Sequence, residues 1–287
     1  MRKFKVKSFC KVNLSLKVSN KTRNGYHRID SLITFCGLYD LITISRIQSS
    51  HDEINFSGNF KRGISKKINT ITKVLFLLRN KKYIKKEFFR INVKKNIPHG
   101  SGLGGGSSNA ASLINFFNSK MNLKINEKEI IKMASQIGFD VPVNLQKKNT
   151  IIIGRNNKIL RLKQRFDLNI LIVYPNLICS TKKIYSKNKK FSFLAKKNYF
   201  SFKNKKKLIY FLQKENNDLE EAVIKLYPKV QNIINFIKIQ KGCYFSRITG
   251  SGSACIGIFC DMKSAIFTQK LIKLKFPKYW CVVSKTI

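Results

Sequence analysis

The sequence predicts a mixed α/β fold, and three stretches carry that prediction. Near the start, "FKVKSFCKVNLSLKVS" alternates apolar and polar residues as a strand does. Ala110, Leu113, Ile114 and Phe117 recur at i, i+3, i+4 and i+7, which is helical spacing. Between them lies "IPHGSGLGGGSSNAAS" (Ile97 to Ser112), a glycine- and serine-rich run that follows a strand and precedes that helix.

The first strand gives way to "NKTRNGYHRID", a polar region around an Asn24-Gly25 turn, and "LITFCGLYDLITISRI" resumes strand character. Ile68 to Asn80 suits a helix with Ile71, Val74, Leu75 and Leu78 on one face. "FFRINVKKNIP" is a strand stopped by Pro98, and the helix after the glycines is predicted to begin near Ser108 or Asn109. Asn126 with Glu129 three residues on reads as a capping box opening the next helix, which Gly138 closes as the residue just past its end. "TIIIGRNNKILRL" reads as a hairpin and "LNILIVYP" as a buried strand. Residues 186–210 are lysine-rich and weakly patterned, and are expected to be a solvated helix or loop. A boundary is expected near residue 155, dividing the chain into domains 1–155 and 156–287.

Composition bounds the function. A chain of 287 residues with 43% hydrophobic and 11% aromatic content is globular and has room for one large domain or two ordinary ones. The anomaly is charge: 57 Lys+Arg against 14 Asp+Glu give a formal +43. Such a balance fits a nucleic-acid partner. It also fits compositional drift, because the abundant Lys, Asn, Ile, Phe and Tyr all have A/T-rich codons and the lysines are scattered along the chain. Either origin leaves a field that attracts anionic substrates. The 7 cysteines form no C-x-x-C pair, which points to a reducing cytoplasm rather than a disulfide framework or zinc ribbon. No apolar run approaches the ~20 residues of a membrane helix, and the N-terminus lacks the apolar core of a signal peptide.

Gly100, Gly102 and Gly105 satisfy the G-x-G-x-x-G dinucleotide fingerprint, but the acidic residue that should end the following strand is missing, since Glu127 opens a helix. A Walker A loop fails as well, because no lysine follows the glycines. The physics common to both patterns remains. Glycines admit close backbone approach, and a helix N-terminus with adjacent hydroxyls attracts an anionic polyphosphate. Asp140, between Phe139 and Val141-Pro142, is either a turn-former or a general base. Lys11, alternating into a strand among apolar neighbours, is either an edge residue or a charge partner. Asn13 lies two residues on, on the same face of that strand. Tyr26 and His27 form an aromatic–imidazole pair able to stack on and hydrogen-bond a nucleobase.

The longer string P-H-G-S-G-L-G-G-G-S-S-N-A-A resembles the glycine loop of the GHMP kinases, and within them the branch that acts on a cytidine diphosphate derivative in non-mevalonate isoprenoid synthesis. "KVNLSLKV" followed by "NGYH", then "GFDVPV", "NDLE" and "RITGSGSACIGIF" support the resemblance in the expected order, from about Lys11 to Phe259. The resemblance implies an α+β, two-domain GHMP architecture, with a ribosomal-protein-like N-terminal domain, a ferredoxin-like C-terminal domain and the active site in the interdomain cleft. It implies ATP-dependent phosphorylation of an alcohol, with Asp140 as catalytic base and Lys11 as its partner. Asn13, Tyr26, His27, Thr181 and Tyr185 are then the acceptor contacts, with Tyr26 and Tyr185 stacking on the base. ATP falls to Asn69, Lys95, Pro98, Gly100, Gly102, Leu103, Gly104, Gly105, Gly106, Ser107, Ser108, Asn109, Gly250, Ser251 and Gly252. Mg2+ is expected with ATP, and no dedicated metal-binding residues are assigned. No nucleic-acid or membrane partner is expected, and the chain would be a cytoplasmic monomer or homodimer. Cys10 stands where the family usually has Ala, and His99 replaces a more typical Met or small residue.

Overall fold

A computed structural model describes residues 2–21, 27–154, 158–192, 202 and 204–287. The Asn24-Gly25 turn, Tyr26 and much of the lysine-rich stretch lie outside the described residues.

The alternating N-terminus builds β1 (Lys3–Lys21), followed by β2 (His27–Ile47), β3 (Glu53–Ser57), α1 (Thr70–Asn80) and β4 (Phe88–Lys94). From the glycine run grows α2 (Gly105–Lys120), then come α3 (Glu127–Ile137) and the short α4 (Val141–Asn144). The hairpin is β5 (Thr150–Ile153) and β6 (Lys158–Arg161), antiparallel, and the buried strand is β7 (Asn169–Tyr174). The remainder is α5 (Thr181–Lys187), α6 (Lys205–Lys214), α7 (Glu220–Leu226), α8 (Lys229–Lys238), β8 (Cys243–Ile248), β9 (Cys255–Phe259), α9 (Met262–Lys275) and β10 (Trp280–Lys285). Among the described residues, no helix is long and apolar enough to cross a membrane.

Two sequence expectations shift on inspection. The helix after the glycines starts at Gly105 rather than near Ser108, because Gly104 takes a left-handed conformation (φ 69°) that turns the chain directly into α2. Gly138 does end α3, its N–H reaching Ala134 O at 3.2 Å, but its backbone is extended (φ 175°), so the position does not depend on glycine's left-handed freedom.

The chain forms two compact units. The first comprises Met1–Lys11, Leu38–His99 and Gly104–Lys147; the second comprises Val12–Gly37, Gly100–Leu103 and Lys148–Ile287. Both are discontinuous in sequence, because β1, β2 and the glycine run each change unit part-way.

In the first unit, β4 pairs antiparallel with β2 over Leu41–Ile47 and parallel with β3. The apolar faces read from the sequence close over this layer: Ile71, Val74, Leu75 and Leu78 of α1 join Ala110, Leu113, Ile114 and Phe117 of α2 in one buried cluster. Phe89 and Phe117 meet edge to face at 4.9 Å in its centre.

In the second unit, the C-terminal sheet is antiparallel in the order β10-β7-β9-β8, and every residue of β7 is buried. β2 pairs there with β5 over Ser31–Ile33. The segment before α7 ties distant strands together: Leu16 N–H donates to Asn216 O at 2.9 Å, Asp218 N–H to Leu16 O at 2.8 Å, and Val18 N–H to the Asp218 carboxylate at 2.8 Å. Glu220, at the start of α7, accepts the Ile248 N–H at 2.9 Å.

Burial raises the Glu220 carboxyl above its ordinary value, against the smaller opposing pull of that N–H and of Arg247. A carboxyl raised on folding favours the native state when protonated, so its contribution is fully present at low pH and is lost as pH rises through the folded value. Glu220→Gln keeps an acceptor for Ile248 and carries no charge. The variant is expected to gain stability relative to the parent between about pH 4 and neutrality, measured by urea unfolding at both ends; an unchanged difference would remove burial as the cause.

Candidate active site

The first unit gathers Asp140, Lys11 and the first turn of α2. Lys11 is 4% exposed, and its Nζ lies 3.4 Å from Asp140 Oδ2. An ammonium so far out of water needs compensation, and Asp140 supplies it. Asp140 precedes Val141-Pro142 at the start of α4, where proline fits the first helical turn. Its carbonyl accepts Asn144 Nδ2 at 2.6 Å, so the backbone is fastened one turn on while the carboxylate, on a side chain 34% exposed, faces Lys11. Asn144 escaped the sequence reading, though its i+4 spacing from Asp140 was the available signal.

Gly104 makes this arrangement possible: a Cβ there would come within 2.7 Å of Lys11 Cγ and 3.0 Å of Cε. α2 then begins with no side-chain cap among the described residues, and Ser108 N–H to Gly104 O (2.8 Å) is its first internal bond. The N–H groups of Gly105, Gly106 and Ser107 precede that bond and are donors without helical acceptors. Gly106 is exposed and Ser107 half-buried, while Ser108 is buried, its hydroxyl donating to Phe9 O at 2.6 Å and meeting Ser8 Oγ at 2.9 Å. Asn109 is buried one residue further along. The turn therefore offers backbone donors and one serine hydroxyl to an anion, with its second serine anchoring α2 to β1.

Two residues assigned to ATP from sequence have internal partners. Asn69 is the N-cap of α1: its Oδ1 accepts from Ile71 N at 2.8 Å and Thr72 N at 3.0 Å, and its Nδ2 donates to Ser65 O and Lys66 O. Lys95 is buried in an ion pair with Asp40, whose carboxylate also accepts Asn96 N–H (2.7 Å) and Ile97 N–H (2.9 Å). Pro98 is buried directly after this anchor. His99 reaches Arg62 O at 2.9 Å.

The second unit holds the rest of the glycine run against the late glycine turn. Gly102 (φ 83°) passes so close that a Cβ would sit 2.0 Å from Thr249 O. Ser101 O accepts Ala254 N–H at 3.0 Å, Gly100 O accepts Cys179 N–H at 2.9 Å, and Leu103 is fully buried. Across the turn, Gly250 and Gly252 have positive φ, and Ser251 Oγ lies 3.0 Å from Thr181 Oγ1. Thr181, assigned to the acceptor from sequence, thus touches the late turn. Asn13 donates its backbone N–H to Thr249 Oγ1 at 2.8 Å and its side-chain amide to Ser31 Oγ at 2.7 Å.

The same unit holds the predicted base-reading pair in part. His27 Nδ1 lies 2.8 Å from Ser19 O; a carbonyl there requires Nδ1 to carry the proton, and in the neutral ring that leaves Nε2 as the acceptor. Nε2 is buried and has no hydrogen-bond partner among the described residues. Tyr185 is 5.5 Å from the His27 ring, and Phe191, which the sequence reading passed over, stacks on it at 5.6 Å and 14°.

The GHMP kinases N terminal domain matches residues 69–147 and the GHMP kinases C terminal domain matches residues 200–272. Fold and site together define a GHMP kinase, a phosphotransferase built on a glycine loop. The chain is 39% identical to the 4-diphosphocytidyl-2-C-methyl-D-erythritol kinase of Pelagibacter ubique over 287 residues, all of both chains. It is 32% identical to that of Wolbachia pipientis, over 98% of this chain and 97% of the other. The chain belongs to the 4-diphosphocytidyl-2-C-methyl-D-erythritol kinase family. Among solved structures, a crystal structure of 4-(cytidine 5'-diphospho)-2C-methyl-D-erythritol kinase aligns with TM-score 0.75 at 21% identity, covering 98% of this chain and 99% of that one. Homoserine kinase from Cytophaga hutchinsonii aligns with TM-score 0.74 at 14% identity, over 100% of this chain and 95% of that one, so the two share a fold.

Gly102→Ala is expected to combine the ~1–2 kcal/mol strain of an L residue at positive φ with a forced shift of Thr249, lowering the urea midpoint sharply. Gly106→Ala is the control, since its Cβ would meet nothing closer than 3.8 Å, and it should change stability by no more than about 1 kcal/mol. Equal midpoints for the two variants would contradict the close approach at Gly102.

Proposed function

We propose that this chain transfers the γ-phosphoryl group of ATP to the 2-hydroxyl of 4-diphosphocytidyl-2-C-methyl-D-erythritol, in the cytoplasm and as a step of non-mevalonate isoprenoid precursor synthesis. The observation that carries the reading is the Lys11–Asp140 pair beside a helix whose first donors have no internal acceptor. The acceptor hydroxyl loses its proton to the Asp140 carboxylate, its oxygen bonds to the γ-phosphorus, and the bond to the β-phosphate oxygen breaks to release ADP. Lys11 fixes the orientation of Asp140, with its ammonium balancing the carboxylate. Gly105, Gly106 and Ser107 bind phosphate oxygens through backbone N–H groups, and the Ser107 hydroxyl adds a further contact. Pro98, Gly100, Gly102, Leu103, Gly104, Ser108, Asn109, Gly250, Ser251 and Gly252 shape the phosphate loop and the turn against it. Asn69 and Lys95 serve ATP by holding α1 and the approach to the loop.

Mg2+ accompanies the triphosphate. Among the described residues there is no cluster of three acidic, histidine or cysteine groups. That donor set suits a hard ion held mainly by phosphate and water, with the Ser107 hydroxyl and the Asp140 carboxylate as the protein oxygens available to it. When bound, it supplies charge neutralisation on the phosphoryl oxygens.

For the acceptor, Tyr26, His27 and Tyr185 hold the cytosine, and Asn13 and Thr181 support the remainder. With the ring neutral, His27 Nε2 would accept from the exocyclic amine of cytosine and find no donor on the carbonyl of uracil. Residues 1–155 are proposed as the nucleotide-binding domain and 156–287 as the C-terminal domain, in a monomer or homodimer without nucleic-acid or membrane partners. A GHMP kinase for another acceptor is the competing reading, and the aromatic–imidazole pair disfavours it.

ADP release from Mg-ATP with the cytidyl acceptor tests the reading, with homoserine, galactose and mevalonate as controls; turnover of a control alone would overturn the substrate. Asp140→Asn should lower kcat about 10²–10⁴-fold, the range of general-base catalysis, with ATP affinity retained. Tyr185→Ala should raise KM for the cytidyl acceptor by roughly 10- to 100-fold, as expected for ~1–3 kcal/mol of stacking. The same variant should leave KM for ATP unchanged.

A further inference from the structure

The stretch Asn217-Asp218-Leu219-Glu220 stands apart in the sequence, and the reaction proposed above assigns it no task. Asn217 is 4% exposed, and every hydrogen-bonding group of its amide is engaged. Nδ2 donates to Ile248 O at 3.2 Å and to Gly250 O at 2.9 Å, while Oδ1 accepts Leu219 N–H at 3.0 Å. The two carbonyls it holds flank Thr249. That residue makes the remaining contacts of the turn: its carbonyl presses against Gly102, its hydroxyl accepts the Asn13 N–H, and its N–H reaches Ala254 O. Ala254 in turn donates to Ser101 O. Residues 101 and 102 of the glycine loop therefore rest on a turn whose flanking carbonyls are both held by the Asn217 amide.

We propose that Asn217 is a positioning residue for the phosphate loop: its amide clamps the carbonyls of Ile248 and Gly250 and so fixes Thr249 beneath Gly102. The inference rests on the kinase reading of the glycine loop. The chemistry of the side chain explains its identity. Two donors and one acceptor at this reach are available from asparagine alone; aspartate has the same shape without the donors, and glutamine is one methylene longer. Loss of the donors leaves two buried carbonyls unsatisfied, and the turn then relaxes toward new partners. A displacement of about 1 Å at a positioning element can cost on the order of 10²-fold in rate. The neighbouring acids do a separate job, Asp218 holding Val18 and Glu220 holding Ile248 through their N–H groups.

The test compares Asn217→Asp and the milder Asn217→Ser, which keeps one donor, with the core variant Ile237→Ala. Ile237 is fully buried on α8 and lies outside the site. All are assayed at a temperature where each is folded by circular dichroism. Mg-ATP affinity is read by calorimetry, and kcat and KM by ADP release with the cytidyl acceptor. Asn217→Asp should weaken Mg-ATP binding or lower kcat at least tenfold, Asn217→Ser should fall between it and the parent, and Ile237→Ala should lose thermal stability with both constants kept. Asn217→Asp matching the parent in both constants, or Ile237→Ala losing as much as it does, would overturn the proposal. If Asn217→Asp does not fold, Asn217→Ser decides by the same criteria. Because Mg-ATP affinity needs no acceptor, a parent that binds ATP but ignores the cytidyl compound defeats the substrate reading while leaving the role of Asn217 decided.

Discussion

A lysine ammonium taken almost wholly out of water must be compensated, and in the first unit that requirement organises the site. Asp140 is the compensating charge. For the pair to form, the Lys11 stem has to run past a residue with no Cβ, which places glycine at position 104. The carboxylate has to stay put, which Asn144 ensures by gripping the Asp140 carbonyl. β1 has to keep a fixed height against α2, which the Ser8–Ser108–Phe9 hydrogen bonds provide. Each of these residues bears on the pair, and the Asp140 carboxylate owes its position to them.

Much of this was legible in the sequence because it is written locally. The alternation of β1, the one-sided apolar face of α1, the α3 cap at Asn126 and the buried run of β7 are all patterns within a few residues, and the structure realises each. Part of what the sequence hid depends on residues far apart in the chain. Lys95, assigned to ATP by resemblance, is engaged by the distant Asp40, while Asn69, assigned with it, caps α1 two and three residues on. The start of α2 was misplaced because glycines score poorly as helix formers, while here Gly104 supplies the turn that launches the helix. Phe191 belongs to no periodic pattern, and the tasks of Asn144 and Asn217 are disclosed by their three-dimensional neighbours.

The imbalance of charge reads differently once the acids are located. Asp52 grips Arg79 and the Phe89 N–H, Glu53 pairs with Arg90, Glu129 with Lys81, Glu215 with Lys17, and Asp261 caps α9. Asp40, Asp140, Asp218 and Glu220 hold the backbone or side chains already described. Of the 14 acids in the chain, those with such contacts are the ones whose loss would leave an N–H or a cation unmatched. The acids that make these contacts thus serve as anchors for the backbone and for nearby cations.

The hydrogen bonds made by β1 also order events in time. Asn13 reaches Thr249 across 236 residues, and Val18 reaches Asp218 across 200. During synthesis this strand leaves the ribosome well before those partners, which follow it by 200 residues or more. Contacts of such separation are slow to close, since a long loop must be ordered before they form. An alternating, β-prone segment therefore waits through that interval with those positions unmatched, which exposes it to misassociation. Its completion is set by its later partners, not by its own synthesis.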